Sequence, residues 1–379
     1  MKELLLPPPV LRSRLAGVAA IALASGGACF TASADIIQTN LVSDIPGLAT
    51  ITDSSLHNPW GVSHNAASPF WVSDQGTSVA TLYNVTAGGV SKAALTVTIP
   101  KTTAGPQGPT GQVSNTTSSF QLNGSPALFI FANLNGTISA WNGGTTATIE
   151  ATTAGAVYTG LALASTASGP LLYAANGAQN RIDVFNGSFA PMNLGPNAFV
   201  DPSVGALVPF NVQTLAGNVY VTYAPAGRPA QIAAPEGAGA VSIFDTSGNL
   251  LQSLINGSKL AAPWGLTLAP TDFGQFSGDL LVGNFSFNAS EINAFDPPSG
   301  AFLGTIPINT GGNGPGGLWA LIVGNGGNGG LSNTVYFTDG FNGEADGLFG
   351  SLSAVAPEPA SATLLGLGLL GLGFFRRRT

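Results

Sequence analysis

Chemistry that depends on thiols, paired imidazoles or a basic surface finds little material in this chain. Its 379 residues include one cysteine, two histidines and eleven lysines and arginines, and charged residues of every kind make up only 8%. The single cysteine, Cys29, excludes an internal disulfide framework and any multi-cysteine metal site. His57 and His64 stand seven positions apart with no cysteine or acidic partner at metal-ligand spacing, which favours structural or solvent-facing roles. A Gly-x-Ser-x-Gly nucleophile elbow and a phosphate-binding loop with its lysine are both missing. Helical periodicity is missing too, and no linker rich in Pro, Ser or charge divides the long central stretch. With charge this scarce, Gly, Ser, Thr and Asn must cover the surface, a composition that suits an extracellular all-β protein.

The two ends read as addresses. Lys2, Arg12 and Arg14 precede an apolar stretch from Leu15 to Leu23 and the small-residue site Ala32-Ser33-Ala34, the pattern of a secretory signal over residues 1–34. Lipidation of Cys29 lacks the large aliphatic residue expected three positions before it. At the other end come Pro357-Glu358-Pro359, sixteen apolar or small residues from Ala360 to Phe375, and Arg376-Arg377-Arg378. Sixteen is short of the roughly 20 residues that cross a bilayer, yet basic residues after an apolar run mark a cytoplasmic stop. This order resembles a PEP-CTERM sorting tail over residues 357–379. The resemblance implies an exosortase as processing partner in a Gram-negative bacterium, with a transmembrane helix that anchors the chain in the inner membrane either transiently or permanently.

Six of the eleven basic residues and two of the eighteen acids belong to these ends, leaving five against sixteen and a net charge of minus eleven between them. Such a balance argues against nucleic acid and anionic membrane surfaces as partners.

Between the ends, one short phrase recurs. Pro59-Trp60-Gly61-Val62 returns as Pro109-Thr110-Gly111, Tyr158-Thr159-Gly160-Leu161, Pro209-Phe210-Asn211-Val212, Pro263-Trp264-Gly265-Leu266 and Gly316-Gly317-Leu318-Trp319. Anchored on Gly61, Gly111, Gly160, Asn211, Gly265 and Gly317, the steps are 50, 49, 51, 54 and 52 residues. Each unit continues with a β-branched and aromatic run, five of the six ending in Asp or Asn, and then with an alternating run that enters a tight turn. Several units add a weaker fourth run, as at Leu250–Leu254. Four strands per fifty residues, repeated six times, predict a six-bladed β-propeller over residues 35–356. A parallel β-helix prefers shorter repeats, and a string of sandwiches needs linkers. The last unit lacks a fourth strand, so the early segment Ile36–Val42 is expected to complete it and cover its edge.

In this fold the loops before the first strands and after the second strands emerge on one face. That predicts a ring of aromatic residues, Trp60, Tyr158, Phe210 and Trp264, with Trp319 a further candidate, beside a ring of turn residues, Asp74, Asn133, Asn176, Asn284 and Asp339. Aromatic faces next to amides and carboxylates suit a glycan or a protein ligand in the cell envelope or extracellular matrix, and we take this as the expected ligand-binding site without catalytic residues. The structural alternative is that Asx residues cap turns and the tryptophans fill space between sheets. A second functional expectation is a divalent-metal hydrolase or lactonase, with Asp53, Asp74, Asp339, Glu344 and Asp346 converging on calcium, although no compact Asp-x-Asp-x-Asp spacing supports it.

Several stretches resemble an uncharacterised family of bacterial exported proteins that often carry the same tail. They are Leu41–Gly47, Asn58–Gly61, Pro69–Asp74, Ala262–Leu266, Phe276–Gly278, Leu280–Phe285 and Asp346–Gly350. The resemblance implies a six-bladed propeller related in shape to NHL-type and TolB-like domains and carries no assigned reaction. It also leads to histidine before Gly347-Leu348-Phe349, where this chain has Asp346.

Overall fold

A computed structural model describes residues 35–103 and 105–355 of the chain. The expected signal segment (1–34) and the expected sorting helix with its arginines (357–379) lie outside the described residues. Six antiparallel sheets follow one another along the sequence, and their innermost strands are Pro59–Ser63, Pro109–Ser114, Tyr158–Thr166, Val208–Leu215, Pro263–Leu268 and Gly317–Val323. Each inner strand packs on the next, and the sixth packs on the first. The result is the closed six-bladed propeller that the repeat predicts.

Second strands such as Phe70–Asp74, Phe129–Asn133 and Leu280–Asn284 are buried along their whole length. Their near-continuous apolar character follows from position: a blade sandwiched between two others has no solvent face on which polar residues would alternate. Aromatic and aliphatic clusters fill the gaps, for instance Trp71 with Phe129, Phe131 and Trp141 between the first two blades.

The ring is sealed as the sequence leads one to expect. Ile36–Ser43 pairs antiparallel with Leu348–Ala354, placing Val42 opposite Phe349 at the outer edge of the sixth blade. One strand was not anticipated: Ile51–Thr52 adds in parallel beyond Ile36–Ser43, so this blade has five strands. At the other extreme, the outer strand of the third blade is only Pro191–Met192.

All six inner strands slip register against their second strands at the same point, between Pro59 and Val62, Pro109 and Gln112, Tyr158 and Gly160, Pro209 and Asn211, Pro263 and Gly265, and Leu318 and Leu321. A bulge turns the intervening residue out of the normal alternation. The structurally equivalent residues are therefore Trp60, Thr110, Thr159, Phe210, Trp264 and Trp319. In the sixth unit this moves the match by three positions, so that Ala320 rather than Gly317 corresponds to Gly61. Neighbouring blades come close here: a Cβ on Gly111 would lie 2.3 Å from the backbone nitrogen of Leu161, and one on Gly265 would lie 2.2 Å from the Trp319 carbonyl oxygen. Blade-to-blade hydrogen bonds form in the same region, with Thr338 Oγ1 donating to the Trp60 carbonyl, Thr110 Oγ1 to that of Tyr158 and Asn211 Nδ2 to that of Trp264.

Candidate functional site at the propeller axis

The bulged residues bring three tryptophans together at the axis. Trp60 and Trp319 stack at 3.5 Å between centroids, and Trp264 meets them edge-on at 6.2 and 5.6 Å. Phe210 and Phe285 extend the group, Phe285 stacking on Trp319 at 4.5 Å. All five rings are buried, so the aromatic residues form a plug rather than an open platform. Tyr158 stands apart from them. It occupies the slot that proline fills in four other blades, one residue before the bulge, and its hydroxyl donates to Asp183 Oδ2 at 2.8 Å and contacts Thr153 Oγ1 at 2.7 Å.

The ring of turn residues is buried as well, and most of its partners lie within the same blade. Asp74 Oδ2 accepts from Thr81; Asn133 Nδ2 reaches Thr137 and Ser139; Asn176 Nδ2 donates to Asp183; Asn284 Nδ2 donates to the Lys259 carbonyl. These contacts tie the end of each second strand to the strand or loop beside it. In Asp74, Asn133 and Asp339 one side-chain oxygen (Oδ1) has no partner. Burial pushes the Asp339 carboxyl up to about 7, and burial also pushes that of Asp74 well above its ordinary value, against the Thr81 hydrogen bond.

What lies over the plug is Arg228, a residue that the repeat does not point to. Its guanidinium carbon sits 3.9 Å from the Phe285 centroid, 5.0 Å from that of Trp319 and 5.2 Å from that of Trp60. Nη2 donates to Glu344 Oε1, which also accepts from Asn58 Nδ2 at 3.0 Å. Burial draws the Arg228 pKa below its usual value, and the Glu344 charge opposes that shift. Arg228 opens a five-residue helix, Arg228–Ile232, inside the connection 225–239 of the fourth blade. Connections at the same point of the other blades run three to seven residues. This one folds across the axis and is tied to the fifth blade where Ser286 Oγ donates to the Ala234 carbonyl at 2.6 Å. Two signals mark it in the sequence: its length, and the absence of Asx at the end of the preceding strand.

Between Arg228 and the surrounding loops is a cavity of about 380 Å³. Asn58, Trp60 and Thr159 line it from the start of inner strands, and Gln75, Leu134, Ala178 and Glu344 line it from beyond second strands. The two loop sets therefore do share one face. Among the described residues, the buried side-chain nitrogens with no hydrogen-bond partner are Trp60 Nε1 and Arg228 Nη1, and both residues border this cavity. The other two tryptophans at the axis are satisfied, Trp264 by the Thr159 carbonyl and Trp319 by Asn58 Oδ1.

The carboxylates considered for calcium are engaged separately. Asp53 Oδ2 takes Lys92 Nζ and the Tyr83 hydroxyl, both at 2.7 Å, Glu344 holds Arg228, and Asp346 Oδ2 accepts from Asn342. Asp346 is nevertheless brought near Asp44 and His57, with one potential ligand atom of each within 4.8 Å of the others. His57 Nδ1 is also 2.7 Å from the Ala345 carbonyl oxygen. His64 contacts the Val323 carbonyl at 2.8 Å. Both imidazoles thus link the first blade to the sixth.

Similarity to known proteins follows the fold. The chain is 28% identical over 336 residues to an uncharacterized protein of Acanthamoeba polyphaga mimivirus, covering 82% of this chain and 78% of that one. A second uncharacterized protein of the same virus is 28% identical over 288 residues, covering 72% and 74%. Among solved structures, a streptogramin B lyase superposes with a TM-score of 0.50 at 12% identity, covering 85% of this chain and 98% of that one. A protein of unknown function from Bacteroides thetaiotaomicron gives 0.51 at 10% identity, covering 85% and 77%. At such identities the likeness is one of fold. Residues 355–378 match the PEP-CTERM protein-sorting motif, which implies export, processing by an exosortase and sorting to the cell surface in bacteria.

Proposed function

We propose that this propeller is a non-enzymatic surface protein of a Gram-negative bacterium that binds an extracellular glycan in the axial cavity. The observation that carries the reading is the cavity itself, where Trp60 meets amide and hydroxyl side chains. Its 380 Å³ falls within the roughly 300–1,000 Å³ of small-molecule sites, toward the lower end, and suits one or two sugar rings. Trp60 and Leu134 beside Asn58, Gln75 and Thr159 bring apolar and hydrogen-bonding groups to one cavity, a combination that sugars require. The sorting tail supports the setting, since it delivers the protein to where such polymers lie.

Fragments of extracellular polysaccharide, titrated against the full-length protein by calorimetry, test this reading. Ala178 is exposed and lines the cavity, so Ala178→Trp fills the space without entering the core. Fragments should bind the native protein and lose binding to the folded A178W variant. Equal binding by both would move the site elsewhere, and retention of a protein but of no fragment would favour a protein ligand.

A further inference from the structure

This inference rests on the glycan reading and names the group recognised. We propose that the cavity selects an acidic sugar, a uronic acid, whose carboxylate displaces Glu344 from Arg228 and accepts hydrogen bonds from Arg228 Nη1 and Trp60 Nε1.

Trp60 Nε1 and Arg228 Nη1 are buried without a hydrogen-bond partner. A buried polar group without a partner costs on the order of 1–3 kcal/mol, so two such nitrogens, sealed beneath residues that both line one cavity, call for an explanation. Indole and guanidinium nitrogens donate and cannot accept, so whatever satisfies them brings an acceptor. A cation or an ammonium group would meet only donors there.

Charge narrows the class further. Between the two end segments the chain has five basic residues, and Arg228 is the one stacked on the axial tryptophans. Its hydrogen bond runs through Nη2 to Glu344, whose Oε1 also serves Asn58. An internal carboxylate thus already occupies part of an arginine fork suited to two oxygens. Glu344 does so from a strained position, with φ of 70° in the left-handed region. Arg228 can leave it, being 32% exposed in its side chain and standing directly after Gly227 in the long connection over the axis. Because Nη1 and Trp60 Nε1 are sealed from solvent with Arg228 in place, its movement and ligand entry are one event.

A peptide C-terminus carries the same charged group. The sugar is favoured because the polar groups lining the rest of the cavity, Asn58, Gln75 and Thr159, are amides and a hydroxyl that match ring hydroxyls.

The test uses tryptophan fluorescence and calorimetry on the full-length protein with D-galacturonate, D-galactose and an N-acetylated dipeptide with a free C-terminus. Galacturonate should bind about tenfold or more tightly than galactose, as expected when a charged hydrogen bond is gained. Arg228→Gln should remove the preference, and Trp60→Phe, which keeps a ring and loses the donor, should weaken galacturonate alone. Glu344→Gln should tighten galacturonate binding, a gain that misfolding cannot produce. Equal affinity for the two sugars, or a preference that survives in R228Q, overturns the inference and leaves glycan binding standing. Dipeptide binding that matches galacturonate overturns it in favour of a peptide carboxylate. Failure of both sugars while polysaccharide fragments still bind overturns this inference alone; if the fragments fail too, the glycan reading falls with it.

Discussion

Trp60 and Trp319 face each other across the seam of the ring, the first on the opening blade and the second on the last, with 20° between their planes. The propeller is therefore closed twice: at the axis by stacked indoles and at the rim by Ile36–Ser43 on Leu348–Ala354. Trp319 is fully buried and also donates to Asn58. Trp319→Ala should cost about 3–5 kcal/mol in urea unfolding, the range for removing a large buried aromatic. A loss below about 1 kcal/mol would mean that the axial stack contributes little to closure.

The rim closure has its own signature. Val42 is buried and lies opposite Phe349, so Val42→Pro deletes a ladder donor in a strand paired on both sides. Thermal unfolding followed by circular dichroism should show a lower and broader transition. An unchanged melting curve would show that the seam does not depend on this strand.

Glycine at the bulge is a packing requirement with a direct control. Gly111→Ala places a methyl 2.3 Å from the Leu161 backbone, whereas Gly88→Ala meets only Thr86 Oγ1 at 3.5 Å. The first should destabilise by several kcal/mol and the second by less than about 0.5 kcal/mol. Similar denaturation midpoints for the two variants would contradict the close approach of the blades.

Burial raises the Asp339 carboxyl from an ordinary 3.8 to about 7, and this makes stability depend on pH in a definite direction. Between those values the native state binds the proton that the unfolded state releases, so stability falls as pH rises, and the penalty is complete above about 7. Asparagine stands at the equivalent position in three other blades, at Asn133, Asn176 and Asn284, so Asp339→Asn fits. The variant should gain on the order of a few kcal/mol at pH 8 and almost nothing near pH 4, measured as urea midpoints. An equal gain at both pH values would place the effect in packing rather than charge.

Tyr158 separates structure from binding. Its hydroxyl holds Asp183 and Thr153 away from the axial cavity. Tyr158→Phe should cost about 1–2 kcal/mol of stability and leave the affinity for any cavity ligand unchanged. A drop in affinity with stability intact would return Tyr158 to the ligand site.

Much of this was legible along the chain because a propeller is a local repeat. Each blade satisfies most of its hydrogen bonds within about fifty consecutive residues, so strand, turn and period are written in sequence order. The count of six and the completing strand both come from that order. The sequence also places Trp60, Phe210 and Trp264 in one ring, since they share a slot in the repeat.

Four things escaped that reading, each for a spatial reason. A bulge shifts the alternation by one, and from the phrase alone it is not evident that Tyr158 sits on the proline side of it while Trp319 joins the tryptophans. Burial of the Asx and aromatic rings depends on how closely the blades converge, which no single blade encodes. Asp44, His57 and Asp346 are adjacent only because the seam joins the two ends of the propeller. Arg228 reaches the axis because an insertion in the fourth blade has no sheet of its own to pack on and must bury its apolar residues, Ile232 and Ala234, against the central cluster. Composition and period alone determine the architecture, because they act through hydrogen bonds and alternation within each blade. The axial chemistry was settled only in three dimensions, where groups hundreds of residues apart share one low-dielectric space and either find partners or go without.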